Sequence, residues 1–129
     1  MKKLTEAWLK AAYEDYLMAQ KAMEIELYRQ VCFHSQQCAE KALKAVVVGK
    51  GKMVRRSHNL LELSRDLEDL SLPLTVSPGE LGLLNVVYRS RYPPDLGLLP
   101  QGEPTNEDGG NGVFSSSKVF TEVDNILPQ

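Results

Sequence analysis

The sequence predicts an all-α domain of about five helices that opens with a long helical hairpin. Three observations carry this. Apolar residues recur at helical spacing through two long segments at the front of the chain. Two later segments begin with residues that cap helices. No segment gives a persuasive strand pair.

The first helix is expected from about Thr5 to Met23, where Trp8, Ala12, Tyr16, Ala19 and Met23 form a stripe. The second is expected from about Tyr28 to Gly49, on Val31, Cys32, Ser35, Cys38, Ala39, Ala42 and Val46. Its many small residues let a neighbouring backbone come close, and Gly49-Lys50-Gly51 supplies the glycine that ends it. Asn59 followed by Glu62 has capping-box spacing ahead of a third helix. Ser77-Pro78-Gly79-Glu80 opens a fourth with a hydroxyl at N-cap, proline at N1 and a carboxylate at N3. Leu81, Leu84, Val87 and Tyr88 make its apolar face, and Pro93-Pro94 stops it. Residues 95–112, rich in Gly, Pro, Asn and acids, read as a long loop, with a last helix near Ser116–Leu127.

Length and charge narrow the function classes. The chain has 129 residues, 43% of them apolar and 25% charged, and is read as one domain over 1–129. Fifteen basic and seventeen acidic residues give a net charge of −2, which argues against a whole-chain polyanion binder and leaves a local basic patch open. No apolar run reaches the ~20 residues of a membrane helix, and no apolar stretch follows Met1-Lys2-Lys3. The expected location is cytoplasmic, without membrane association. Cys32 and Cys38, six apart on one helix, point to different sides and cannot pair, which suits reduced core thiols.

Three segments resemble the HEPN domain family of prokaryotic helical domains. They are Trp8, Ala12, Asp15 and Ala19 in the first helix; Gln36-Gln37-Cys38-Ala39-Glu40-Lys41-Ala42-Leu43-Lys44-Ala45, similar to the family's QQxxEKxxKA stretch; and Ser57-His58-Asn59-Leu60 with Leu63, followed by Arg91-Tyr92-Pro93. The resemblance covers residues 5 to about 96, and the final helix fits it loosely. It implies an up-and-down helical bundle that often forms a homodimer. It further implies a small nucleotidyltransferase partner in a toxin–antitoxin or accessory pair, and in some members a metal-independent RNase.

Individual residues sharpen these expectations. Asp15 interrupts the apolar stripe of the first helix, which is costly unless it is paired, and a basic residue of the second or fourth helix is the expected partner. Asp15, Gln37 and Glu40 are therefore read as a structural polar network, with Glu40 to Lys44 a favourable i,i+4 pair on what reads as a solvated face. The RNase members carry a histidine four to six residues after an arginine. Here the corresponding arginines are Arg89 and Arg91, and Pro93, Pro94, Asp95, Leu96 and Gly97 stand where that histidine would be. Cleavage is thus not expected of the chain alone, and Arg91 is read as structural or anion-holding.

The only histidines are His34, one turn before Cys38, and His58, just before the third helix. A His34–Cys38 metal pair is weighed against a histidine beside a core thiol, and the second is preferred. For His58 a local backbone contact is expected. Between Lys41 and Leu61 the acid-free run holds Lys41, Lys44, Lys50, Lys52, Arg55 and Arg56. With Arg91 these are the candidate site for a nucleotide, RNA or an acidic partner, a solvated loop being the alternative. No cofactor or metal is expected. The expected role is an interaction module, homodimeric through the second or fourth helix, that partners a small nucleotidyltransferase or binds a nucleotide; the alternative is an RNase toxin.

Overall fold

Side-chain size decides how these helices meet. A computed structural model describes residues 2–72, 74–88 and 103–127. It contains α1 (Lys2–Glu24), α2 (Tyr28–Gly49), α3 (Leu60–Asp69), α4 (Pro78–Tyr88) and α5 (Asn106–Ile126), and no strand among the described residues. The all-α class and the opening hairpin are as expected. α2 is the central rod and packs against each of the other four helices. From Cys38 to Val48 every residue of α2 except Lys41 is buried. The buried alanines at 12, 39, 42 and 45 let the other helices come close to α2, while Leu43, Leu60, Leu63, Leu67, Leu81 and Leu84 fill the core.

Three helices end in one motif. After α1, Leu27 N–H donates to the Ala22 carbonyl at 2.9 Å and Glu26 N–H to Met23 at 3.2 Å. After α2, Lys52 and Gly51 repeat the pattern on Val47 and Val48; after α3, Leu72 and Ser71 repeat it on Leu67 and Glu68. These are Schellman caps, whose C′ residue must be left-handed. Gly51 (φ 76°) meets that need without strain, whereas Glu26 (59°) and Ser71 (62°) are side-chain-bearing residues held there.

The caps at the helix starts differ from expectation at one point. Asn59 caps α3 by accepting from Leu61 N–H, but Glu62 turns to the Ser57 hydroxyl (2.9 Å) rather than closing a box on Asn59. The α3 start is secured instead from α4, where Asn85 Oδ1 accepts from Leu60 N–H and Asn85 Nδ2 donates to Asn59 Oδ1, both at 2.9 Å. The box at Ser77 and Glu80 forms as predicted, and the Glu80 carboxylate also takes Lys118 Nζ at 3.0 Å, tying α4 to α5. The hydrogen bond from Lys118, followed by the Ser77 backbone, holds the Glu80 carboxyl below its ordinary range.

The expected loop over 95–112 needs correction. α5 begins at Asn106, under a reciprocal Thr105–Asp108 capping box, so residues 106–112 are helical. The glycines that suggested a loop have a packing role instead. A Cβ on Gly109 would stand 3.2 Å from Met23 Sδ, and one on Gly112 would stand 3.3 Å from Ser35 Oγ. Close approach of α5 to α1 and α2 outweighs the intrinsic cost of glycine in a helix, about 1 kcal/mol each. Gly110 faces open space, with nothing within 4 Å of an added Cβ. Gly110→Ala is therefore expected to stabilise the fold by roughly 0.5–1 kcal/mol, read as a raised urea midpoint with unchanged slope. Residues 95–102, and the stop expected at Pro93-Pro94, lie outside the described residues.

Candidate functional site

Two polar clusters are built along α2. The first is built on Asp15 of α1. His34 and Lys41 stand seven residues apart on α2, two turns along one face, and both reach this carboxylate. His34 Nδ1 lies 2.8 Å from Asp15 Oδ1, and Lys41 Nζ donates to Oδ2 at 2.6 Å. Burial alone would raise the Asp15 pKa, but the hydrogen bonds and charges of His34 and Lys41 overcome it and hold the carboxyl below its ordinary value. The predicted basic partner from the second helix is thus Lys41. His34 turns to Asp15, with the Phe33 ring edge-on at 5.0 Å, and is not engaged with Cys38. Both cysteines are free and buried. Burial, with Asp108 near Cys32 and Asp15 near Cys38, pushes each thiol up to about 12, which leaves them poor nucleophiles. Among the described residues no cluster of three or more His, Cys, Asp or Glu side chains could hold a metal ion.

The second cluster is built on Glu40. Glu40 is 3% exposed, and its carboxylate accepts from Lys44 Nζ at 2.9 Å, Gln37 Nε2 at 3.3 Å and Gln36 Nε2 at 3.4 Å. His58 Nδ1 stands 2.8 Å from the same carboxylate. Gln36 also donates to the His58 carbonyl at 2.8 Å, and Lys44 Nζ lies over the Trp8 ring, 5.7 Å from its centre. The Glu40–Lys44 face read as solvated is therefore buried, and His58 reaches a side chain eighteen residues away rather than only its local backbone. Glu40 and Gln37 share this network as expected, while Asp15 belongs to the other one. The His58 side chain remains 65% exposed at the outer end of the cluster.

The acid-free basic run is divided by the fold. Lys41 and Lys44 belong to the two clusters, and Arg55 pairs with Asp66 at 2.7 Å and Glu62 at 3.4 Å, both on α3. Lys50, Lys52 and Arg56 are exposed and meet no acid among the described residues. They sit on the segment that leaves α2 and enters α3. Arg89 and Arg91 lie outside the described residues, as does Asp95.

This five-helix arrangement has known counterparts. The model of the HEPN domain matches residues 5–126, and the chain belongs to that family. The match takes in α5, which the sequence motifs fitted only loosely. Over 138 aligned residues the chain is 39% identical to a Methanocaldococcus jannaschii protein named "Putative toxin MJ1304", covering 98% of this chain and 90% of that one. Among solved structures, TT1696 from Thermus thermophilus shares the fold with a TM-score of 0.74 at 24% identity, over 95% of this chain and 98% of that one. ST0689, an archaeal HEPN homologue, superposes with a TM-score of 0.68 at 26% identity, over 94% and 95% of the two chains.

Proposed function

We propose that this chain is the HEPN-type component of a toxin–antitoxin-type or accessory pair, and that it works by docking an anionic partner rather than by cleaving RNA on its own. The observation that carries the reading is the exposed trio Lys50, Lys52 and Arg56 on a segment anchored at both ends, with no acid of the described fold neutralising it. The toxin name of the 39% identical relative supports the paired-system context. A small nucleotidyltransferase, as the family resemblance suggests, or a nucleotide is the expected partner.

The protein acts as a homodimer in this reading. α2 is enclosed by the other helices, so it offers little face to a second copy. α4, with Leu83 42% and Val86 38% exposed, carries the contact instead. Light scattering at micromolar concentration is expected to give about twice the chain mass; a monomer at all dilutions would remove this element.

A second reading, RNA cleavage with Arg89 or Arg91, is favoured by one observation: His58 is exposed and has its Nδ1 set by the buried Glu40 carboxylate. A carboxylate on one ring nitrogen fixes the tautomer needed for proton transfer at the other. One experiment separates the readings. The protein is incubated in chelator with single-stranded and transfer RNA, beside its Arg91→Ala and His58→Ala variants and a triple Lys50, Lys52, Arg56→Gln variant. Expected are intact RNA and weak binding that the triple variant loses. The affinity should fall with salt at a log–log slope of about −2 for three contacts to a single strand. Cleavage by the unmodified protein that vanishes in Arg91→Ala or His58→Ala would replace docking by catalysis.

A further inference from the structure

The basic segment carries a second feature, which bears on the class of partner. Met53 is 94% exposed, more than any other large apolar side chain among the described residues. It stands between Lys52 and the pair Arg55–Arg56. The segment is not loosely tethered. Lys52 N–H is fixed to the Val47 carbonyl, Arg55 is held by Asp66 and Glu62, and His58 is held by Glu40 and Gln36. An apolar side chain is thus presented to water on a pre-organised backbone, which lowers the ordering cost of binding. Beside it runs a groove of about 420 Å³ whose apolar walls are Val47, Met53 and Leu70, and whose polar walls include Lys52, Asp66 and Asp69.

We infer that Met53 and this groove, ringed by Lys50, Lys52 and Arg56, form the docking surface for a protein partner that offers an apolar side chain flanked by carboxylates. The inference rests on the docking function proposed above and names the chemistry of the occupant. Charge complementarity selects the anionic partner, since the three cations form no ion pair among the described residues. The apolar component selects protein over nucleic acid. A phosphate chain gains nothing from Met53 or from the Val47–Leu70 wall of the groove. Residues 50–59 hold no Phe, Tyr or Trp on which a base could stack. An apolar protein side chain, by contrast, loses water against all three apolar walls, and methionine's flexible thioether adapts to its shape. The partner's carboxylates then meet the cations at the rim, where they steer association.

The test uses the whole chain, Met53→Ser, and the triple Lys50, Lys52, Arg56→Gln variant. None of these four side chains supports the core, so folding is unaffected. Three labelled probes are titrated: a helical peptide with one Leu face bordered by Glu, the same peptide with every Leu replaced by Ser, and a uridine oligonucleotide. The Leu–Glu peptide is expected to bind the unmodified chain and to lose about tenfold in affinity with Met53→Ser, as an interface anchor does. The Ser peptide should bind at that weakened level, and oligonucleotide binding should not respond to Met53→Ser. Peptide binding that ignores Met53→Ser, or no measurable binding of the Leu–Glu peptide, would each overturn the inference. The function proposed above fails separately, if the triple variant changes the binding of neither peptide nor oligonucleotide. Loss of oligonucleotide binding alone leaves that function standing and removes the protein partner.

Discussion

Glu40→Ala is expected to destabilise the protein by about 3–5 kcal/mol, the cost of leaving a buried charge without its partner. That corresponds to a fall in Tm of roughly 10–20 °C for a chain of this size. The Lys44 side chain is 9% exposed and Glu40 is its one ion-pair partner among the described residues, so truncation strands an ammonium under Trp8. The same change takes the carboxylate away from His58, Gln36 and Gln37, loosening the segment that carries the basic trio. A Glu40→Leu, Lys44→Met double variant removes both charges together and should recover most of the loss. Urea unfolding of the unmodified protein, Glu40→Leu, Lys44→Met and the double variant gives the coupling directly. A double variant as unstable as Glu40→Ala would mean that the Gln36 and His58 contacts, rather than the ion pair, hold this region.

That cluster also shows where sequence reading stops. The i,i+4 relation of Glu40 to Lys44 is visible in the sequence, and so is the Gln36-Gln37 pair one turn earlier. Their burial is not visible, because it depends on α1 and the α2–α3 segment closing over a helix that looks polar on this side. The His58 contact bridges eighteen residues and a segment without regular structure, so no periodicity could reveal it. His34 is different. With Lys41 it forms an i,i+7 pair on one face of α2, and Asp15 is the carboxylate that interrupts the apolar stripe of α1. Reading His34 only against Cys38, within its own helix, hid that relation.

The helices were legible for a similar reason and failed at a similar point. Tyr28–Gly49 follows from an uninterrupted small-residue stripe, and the Ser77 start from local cap chemistry. The beginning of α5 had its own local signal, Thr105 with Asp108 three residues on, but Gly109, Gly110 and Gly112 argued against a helix. Two of those glycines are explained by neighbours far away in sequence, Met23 and Ser35. Tertiary contact overrode propensity there, and only the third glycine stands as a true local cost.

Asp15→Ala is expected to cost about 2–4 kcal/mol near neutral pH, less than Glu40→Ala because Lys41 is 27% and His34 18% exposed and both can recover some hydration. Its signature is in the pH dependence. In the folded protein the Asp15 carboxyl is held below 3.8, its ordinary value, by His34 and Lys41 acting against burial. Between that lowered value and 3.8 the unfolded chain binds the extra proton and the folded chain does not, so stability rises with pH across this window. The contribution is complete above 3.8 and is lost as the pH falls through the folded value. Unfolding midpoints of the protein and of Asp15→Ala should therefore lie well apart at pH 6–7 and draw together below about pH 4. Glu80, also lowered, loses its own contribution in the same acid range, but it does so in both proteins and cancels in the difference. Lys41→Met, which keeps the aliphatic stem and removes the charge, should narrow the gap without closing it, because His34 remains on Asp15. A gap that stays constant from pH 7 to pH 3 would mean that Asp15 stabilises the α1–α2 hairpin through packing and not through its charge.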